Sequence, residues 1–550
     1  MANFQTFQLY LRALRKNFQG KLRDIKFNSK NYDVSLNIIQ PYRIYEYSSI
    51  HLVQPITSFE EVLLNTIRKY KTNVWKISNI EDYKLYKLHN FCFLPALNIK
   101  TEKVIGCQLV DEWINQFENY HSTYWRLKTL SFRIINWISC HDIIFKETDL
   151  IYKSKVINSI VKQAKHLFKN INLLEQGFEK IAGLSALILV GISFTEYEKY
   201  LEIGLKEIEK ELSNFINKDG FVKSKNPEDL YYTLYFLVII HEWLLNSRRQ
   251  TPIQITSYIH SLGICFNFLK LNNDTLPLFN GANEINIQKL DEIIRSRGYA
   301  FNKVENIFCG FGKIKYKKIE ILIDGNTPAN TSYTKNYQAG TLSFELYSSG
   351  QKFITNTGSG KYLGSNLSFL SSTTAAHSTL NINDTSSCIF QKNKLITKHF
   401  GNSLINDLDI YKKEFKSDKE TIQCIFAHNG YEKRFGIKFE RQLTLFKDKN
   451  TIEGLDTLIL KNKKKNFLSY SIRFHVHPDI RITKTMGNDI LLSSDRGDGW
   501  IFRCPQVPTK LEKNLYLGNP DSIKENFFIL LEGQIESELT NIIWYLEKAK

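Results

Sequence analysis

The residue types that transfer protons or neutralise carboxylates, namely histidine, tyrosine, asparagine and arginine, gather at a few places in the sequence. Arg473, His475 and His477 alternate with apolar residues, so a strand would place all three on one face as a basic groove or as scaffold. Asn336 and Gln338 share a face by the same period of two. They could hold a carboxylate or hydroxyls, or form a polar turn. Tyr231 and Tyr232 open an apolar helical run, where core packing competes with acid catalysis. His377, in Thr374-Ala375-Ala376-His377-Ser378-Thr379-Leu380, could act as a base, clamp a carboxylate or be a hydrogen-bonded structural histidine. His428 with Tyr431 reads as fold support. The eight cysteines show no CxxC pair and no zinc-ribbon spacing, which predicts free, mostly buried thiols.

The elements that must carry these residues fall into two rhythms. From about 108 to 300 apolar residues recur every three or four positions, in Leu109 to Phe117, Trp125 to Ile138, Ile151 to Phe168, Phe178 to Ile192, Tyr200 to Phe215, Leu230 to Leu245 and Ile253 to Leu269. Short connections such as Asn217 to Gly220 predict antiparallel helical hairpins, and a solenoid of these can close into a toroid. After Tyr299 the period becomes two, in Thr341 to Leu346, Lys438 to Phe446 and Tyr470 to His477, with Gly, Asn, Asp and Ser between the runs. That predicts an antiparallel sandwich of half-buried strands. Residues 1–100 read as an N-terminal cap, with a β-like run at Tyr32 to Ile39 and a helix near Phe59 to Tyr70. The expected division is cap 1–100, toroid 101–300 and sandwich 301–550.

A chain of 550 residues with a hydrophobic share of 43% has no difficulty building cores, and its 28 Tyr and 37 Phe suit cores or a sugar-stacking groove. The net charge of +17 would attract polyanions. Its lysines are scattered, however, and Lys461 to Lys465 reads as a solvated turn. No nucleic-acid recognition motif is present, so that class is set aside. Arg12, Arg15 and Lys16 stand where a signal peptide needs apolar residues, and no run is long enough for an integral membrane segment.

Several motifs, taken in order, resemble the heparinase II/III-like family. They are Ala339 to Leu346, Asn356-Thr357-Gly358-Ser359-Gly360, the Ala375-Ala376-His377 strand, Ala427-His428-Asn429-Gly430-Tyr431, the strand with Arg441, and Arg473 to Asp479. In the helical half Ser131 to Ser139, Ala182-Gly183-Leu184, Asp219-Gly220, Asn226-Pro227 and Leu278 to Gly281 extend the match. The resemblance covers roughly residues 80 to 550. It implies an incomplete (α/α) toroid before the sandwich, and a polysaccharide lyase that cleaves an acidic, uronate-containing glycan by β-elimination, commonly in the cell envelope. His377 and a toroid tyrosine, Tyr232 or Tyr231, would move protons. Asn336, Gln338, Asn356 and Arg473 would bind substrate. The chain departs from the family where it has histidines in an H-x-H arrangement, here Asn336-Tyr337-Gln338, and where the aspartate of its "DSG" turn is replaced by Asn356. The Asn-His pair of the toroid falls at Phe178 and Glu179, and its Tyr near Asp229. With His377 as the sole matching ligand no zinc cofactor is expected. The alternative reading is therefore a catalytically degenerate protein that binds or handles a glycan of the cell envelope.

Overall fold

The computed structural model describes residues 2–36, parts of 61–76, and 82–549 apart from residues 273, 330, 403, 405–407 and 462–467. The helical half contains α1 (Ala2–Phe27), α2 (Lys30–Ser35), α3 (Asp82–His89), α4 (Lys103–Phe117), α5 (Leu127–Ser139), α6 (Leu150–Asn170), α7 (Phe178–Ser193), α8 (Glu198–Phe215), α9 (Pro227–Asn246), α10 (Ile253–Leu269) and α11 (Gln288–Ser296). The helical periodicity of α4 to α10 is met in each case. The β-like reading of Tyr32 to Ile39 is corrected where it is described. Ser29 caps α2 by accepting a hydrogen bond from the Tyr32 backbone N–H, and this local cap overrides the alternation. Residues 37–39 lie outside the described residues, as do residues 462–465 of the lysine-rich run; Lys461 pairs with Glu432.

Contacts among the helices show how the ring is layered. α7 packs against α5 and α9 as well as against its chain neighbour α8. Every residue from Ile181 to Ser193 is buried, so α7 is apolar all round because it has protein on every side. Gly191 makes this possible: a Cβ there would stand 2.4 Å from the Leu201 backbone nitrogen. α9 starts where Asn226 accepts from the Glu228 N–H at 2.7 Å and Pro227 occupies the first turn.

The C-terminal half is two stacked antiparallel sheets. In spatial order one holds β1 (Asn306–Phe308), β2 (Phe311–Tyr316), β3 (Ile319–Asp324), β4 (Phe344–Ser348), β5 (Gln351–Thr355), β11 (Ser469–Val476), β16 (Lys524–Gln534) and β15 (Lys510–Tyr516), with β6 (Leu380–Ile382) added on β11, and the other holds β12 (Ile480–Lys484), β13 (Ile490–Ser494), β14 (Gly499–Arg503), β17 (Leu539–Lys548), β10 (Thr451–Leu460), β9 (Ile437–Phe446), β8 (Thr421–His428) and β7 (Ile410–Ser417). Between the sheets lies Arg441, fully buried, which donates to both carboxylate oxygens of Asp456 at 2.7 and 2.8 Å and to the Leu342 and Ser378 carbonyls. Asp456 also accepts from the Trp544 indole N–H, so one buried pair ties β9, β10 and β17 to the loop that follows His377.

The expectation of half-buried strands holds for β9 and β10 but not for β3 and β4, whose residues are buried on both faces. Ile321 and Ile323 enter the core between the sheets, whereas Leu322 joins the core of the helical half. The helical half covers the outer face of this sheet, as an α-layer does in any three-layer packing. Thr341 to Ser343, expected in the strand, precede it; Leu342 adopts a left-handed backbone with φ 61°.

Candidate functional site

Where the helical ring meets the first sheet, four helices, the segment after α3 and the loop after β5 converge on a pocket, α7 through Phe178 at its start. α3 supplies Tyr83, Tyr86 and Lys87, which spacing by three and four puts on one face. α5 supplies Lys128, Phe132 and Asn136 at successive intervals of four, a polar-edged stripe along one face of the helix. α9 supplies Tyr232, and the loop after β5 supplies Tyr362. The Tyr362 ring stacks on Tyr83 at 4.0 Å between centroids and closes the space from the sandwich side. What remains open to a water-sized occupant is about 40 Å³, far below the roughly 300–1,000 Å³ of sites that enclose a whole small-molecule ligand.

Charges around the pocket are paired. Lys128 donates to Glu179 at 2.7 Å. Burial opposes both charges, but the surrounding groups together outweigh it, Glu179 with Tyr86 and Glu175 around Lys128 and Lys128 with Lys335 and Lys361 around Glu179: the Lys128 pKa is raised and that of Glu179 lowered. Lys361 donates to Glu228 at 2.6 Å and to the Gly281 carbonyl at 3.1 Å, and Glu228 also receives the Asn283 N–H and the Tyr362 hydroxyl. Lys87 pairs with Asp521 at 3.0 Å. Desolvation pushes the phenols of Tyr83, Tyr86 and Tyr362 above the usual tyrosine value, so they remain protonated donors. Desolvation also raises the half-buried Asp229 carboxyl to about 6, against a hydrogen bond from Ser224.

The proposed catalytic and substrate-binding residues do not meet in this pocket; of these Tyr232 lines it, stacked on Phe178, the position that matches the family's toroid Asn. Tyr231 is 2% exposed and packs with Tyr235 in the core. Asn336 lies in a turn and Gln338 in the irregular segment that follows, which corrects the reading of a shared strand face. The Asn336 carbonyl abuts Gly281, leaving no room for a Cβ at that left-handed glycine. The Gln338 side chain accepts from the Gly281 N–H and donates to the Gly358 and Ser371 carbonyls. Asn356 donates to Glu345 and accepts from the Ser378 N–H. Arg473 is half-buried, donates to Ser471, faces Asp384 at 3.9 Å and lies over the Phe528 ring.

His377 is 1% exposed, its ring against Gly340, and neither ring nitrogen has a partner of hydrogen-bond geometry. Burial pulls its pKa to about 3, and the same cause, with His377 nearby, holds His475 at about 3. His475 donates from Nε2 to the Ala375 carbonyl and accepts from the Asn514 amide at Nδ1. His428 accepts from the Gly430 N–H, and Tyr431 donates to the Leu380 carbonyl. The residues at the family's zinc positions do not fit that ion, since Gln338 and Asn356 are neutral amides already committed to protein partners. Among the described residues, no group of three or more His, Cys, Asp or Glu is placed to hold a metal.

Sequence reasoning missed Tyr83, Tyr86, Lys128, Glu228, Lys361 and Tyr362. The four-residue spacing of Lys128, Phe132 and Asn136 was the available signal for α5. Nothing local marks Tyr362, which reaches the pocket only because the sandwich docks on the ring.

Residues 308–545 match the family described as Heparinase II/III-like, C-terminal. The structure is similar to the crystal structure of heparinase III, with a TM-score of 0.69 at 14% identity, over 94% of this chain and 88% of that one. It is also similar to a mutant of the heparan sulfate lyase HepC from Pedobacter heparinus, with a TM-score of 0.59 at 12% identity, over 95% and 89% of the two chains. A curated relative, FtsZ-localized protein C of Caulobacter vibrioides, is 22% identical over 483 residues, 84% of this chain and 81% of that protein. The C-terminal half is thus a heparinase II/III-like domain, divergent in sequence, joined to a helical toroid in the architecture of heparinase III.

Proposed function

We propose that this chain uses the lyase scaffold to bind an acidic glycan without cleaving it. The observation that carries the reading is that the groove between ring and sandwich is filled by the protein's own side chains. Tyr362 stacks on Tyr83, Lys361 is held by Glu228 and Lys128 by Glu179. β-Elimination needs a base beside a neutralised carboxylate. The family's positions for these groups carry Phe178, Glu179, Asn336 and Gln338, and the Gln338 amide is spent on backbone partners. What the pocket keeps is recognition chemistry: aromatic planes, the Asn90 and Asn136 amides and two ammonium groups. Its small volume suits the carboxylate or terminus of a uronate rather than a polymer threaded through. The relative named for localisation with FtsZ supports a use of this scaffold other than polysaccharide breakdown.

Titration calorimetry with uronate oligosaccharides tests the binding. Wild type binds and Lys128→Met loses at least tenfold in affinity; equal affinity in the two proteins, or no binding by either, refutes the site. A second reading, residual cleavage, is favoured by Asp229, whose carboxyl near 6 lies in the range of a general base one helical turn from Tyr232. Formation of an unsaturated uronate that disappears in Asp229→Asn would establish it.

A further inference from the structure

We infer that α1 is a docking surface for an anionic lipid bilayer, a role independent of the pocket. At about 100° per residue, α1 divides into three arcs. The first contains Thr6, Ala13, Asn17 and Phe27 and rests on the protein. Ala13 and Phe27 are buried, Gln391 donates to Thr6, Lys398 donates to Asn17, and the Lys16 ammonium lies over the Phe400 ring. The second arc, Phe7, Leu11, Leu14, Phe18, Leu22 and Ile25, points away from these contacts, with each residue between 42% and 70% exposed. The third carries Arg12, Arg15, Arg23 and Lys26 along one flank of the apolar arc.

Six large apolar side chains in one row of roughly 80° are more than scattered surface hydrophobes, and such a row marks an interaction site. The apolar row is also not a face aimed at the core, since the core-facing arc is a different one. Charge selects the occupant. α1 carries Arg12, Arg15, Lys16, Lys21, Arg23 and Lys26 against the single carboxylate of Asp24, which receives the Tyr120 hydroxyl. A helix with an apolar face, a cationic flank and no acid beside them lies in the interface of an anionic membrane, its ring and alkyl groups among the acyl chains and its cations at the headgroups. A second copy of this chain would bring the same cations against themselves. No helix among the described residues is long and apolar enough to cross a membrane, so the attachment would be peripheral.

Co-sedimentation of the full chain with vesicles decides this. Wild type pellets with phosphatidylcholine vesicles containing one third phosphatidylglycerol and remains soluble with phosphatidylcholine alone, and raised salt weakens the binding. Leu14→Glu/Phe18→Glu, both at exposed positions, keeps the wild-type circular dichroism and reduces pelleting at least tenfold; Arg12→Glu/Arg15→Glu reduces it on anionic vesicles. Equal pelleting of wild type and Leu14→Glu/Phe18→Glu overturns the inference. So does a wild type that binds no vesicles, including one that forms a dimer by light scattering which the double variant loses.

Discussion

The Glu228–Lys361 pair should hold the loop with Tyr362 against the ring. Glu228 is 4% exposed and accepts from the Asn283 N–H at 3.0 Å, the Lys361 ammonium at 2.6 Å and the Tyr362 hydroxyl at 3.3 Å. Glu228→Gln keeps one neutral acceptor oxygen, for the Asn283 N–H, and puts an NH2 donor where the other oxygen stood, so the buried ammonium of Lys361 loses its counter-charge and is left with neutral acceptors such as the Gly281 carbonyl. Removing one partner of a buried pair costs about 3–5 kcal/mol, whereas replacing both is often nearly neutral. Glu228→Gln and Lys361→Met should therefore each destabilise the docked loop by about that amount. The double variant should cost far less than their sum, a coupling of more than about 2 kcal/mol. Native-state hydrogen exchange of residues 357–363 reads this locally, which matters because a chain of two halves need not unfold in one step. Single variants within about 0.5 kcal/mol of wild type, with an additive double, would refute the reasoning.

Three further outcomes follow from the same geometry. Arg441→Met leaves Asp456 buried with one indole donor and should cost about 3–5 kcal/mol in urea unfolding, while Arg441→Met/Asp456→Leu recovers most of it. His377 and His475 have folded pKa values near 3, below the unfolded value of about 6.5, so the stability they contribute is present above pH 6.5 and lost as pH falls toward 3. His377→Leu should shift acid unfolding to lower pH, and an unchanged acid limb would count against it. Asp229 has the opposite sign: its folded pKa near 6 lies above the unfolded value, so its contribution is complete below about pH 4 and disappears as pH rises through 6. Asp229→Asn should flatten stability over that window, as measured by thermal unfolding at each pH.

Much of the scaffold could be read from the chain because its signals are local. The stripes of helices such as α6 and α8 and the alternation of β9 and β10 follow from one buried face each. β3 and β4 were less legible, since burial on both faces depends on the helical layer above them, which no local pattern records. The candidate site divides in the same way. The loss of the H-x-H positions was visible in Asn336-Tyr337-Gln338, yet the use of the Gln338 amide as a clamp on Gly281, Gly358 and Ser371 is a product of tertiary structure. Tyr231 and Tyr232 were indistinguishable as neighbours in a helix; about 100° of rotation puts one in the core and the other on the pocket wall. α1 lay in what was read as a cap, and its exposed apolar arc became recognisable only once its docked arc was known.

The central claim is that this lyase scaffold holds a glycan without breaking it. Its most direct test is to incubate the folded chain with uronate oligosaccharides that it binds and to follow the ultraviolet absorbance of the unsaturated sugar ring. The account predicts a flat trace with the oligosaccharide recovered at its original length. A rising trace, with shorter products ending in an unsaturated uronate, would contradict it.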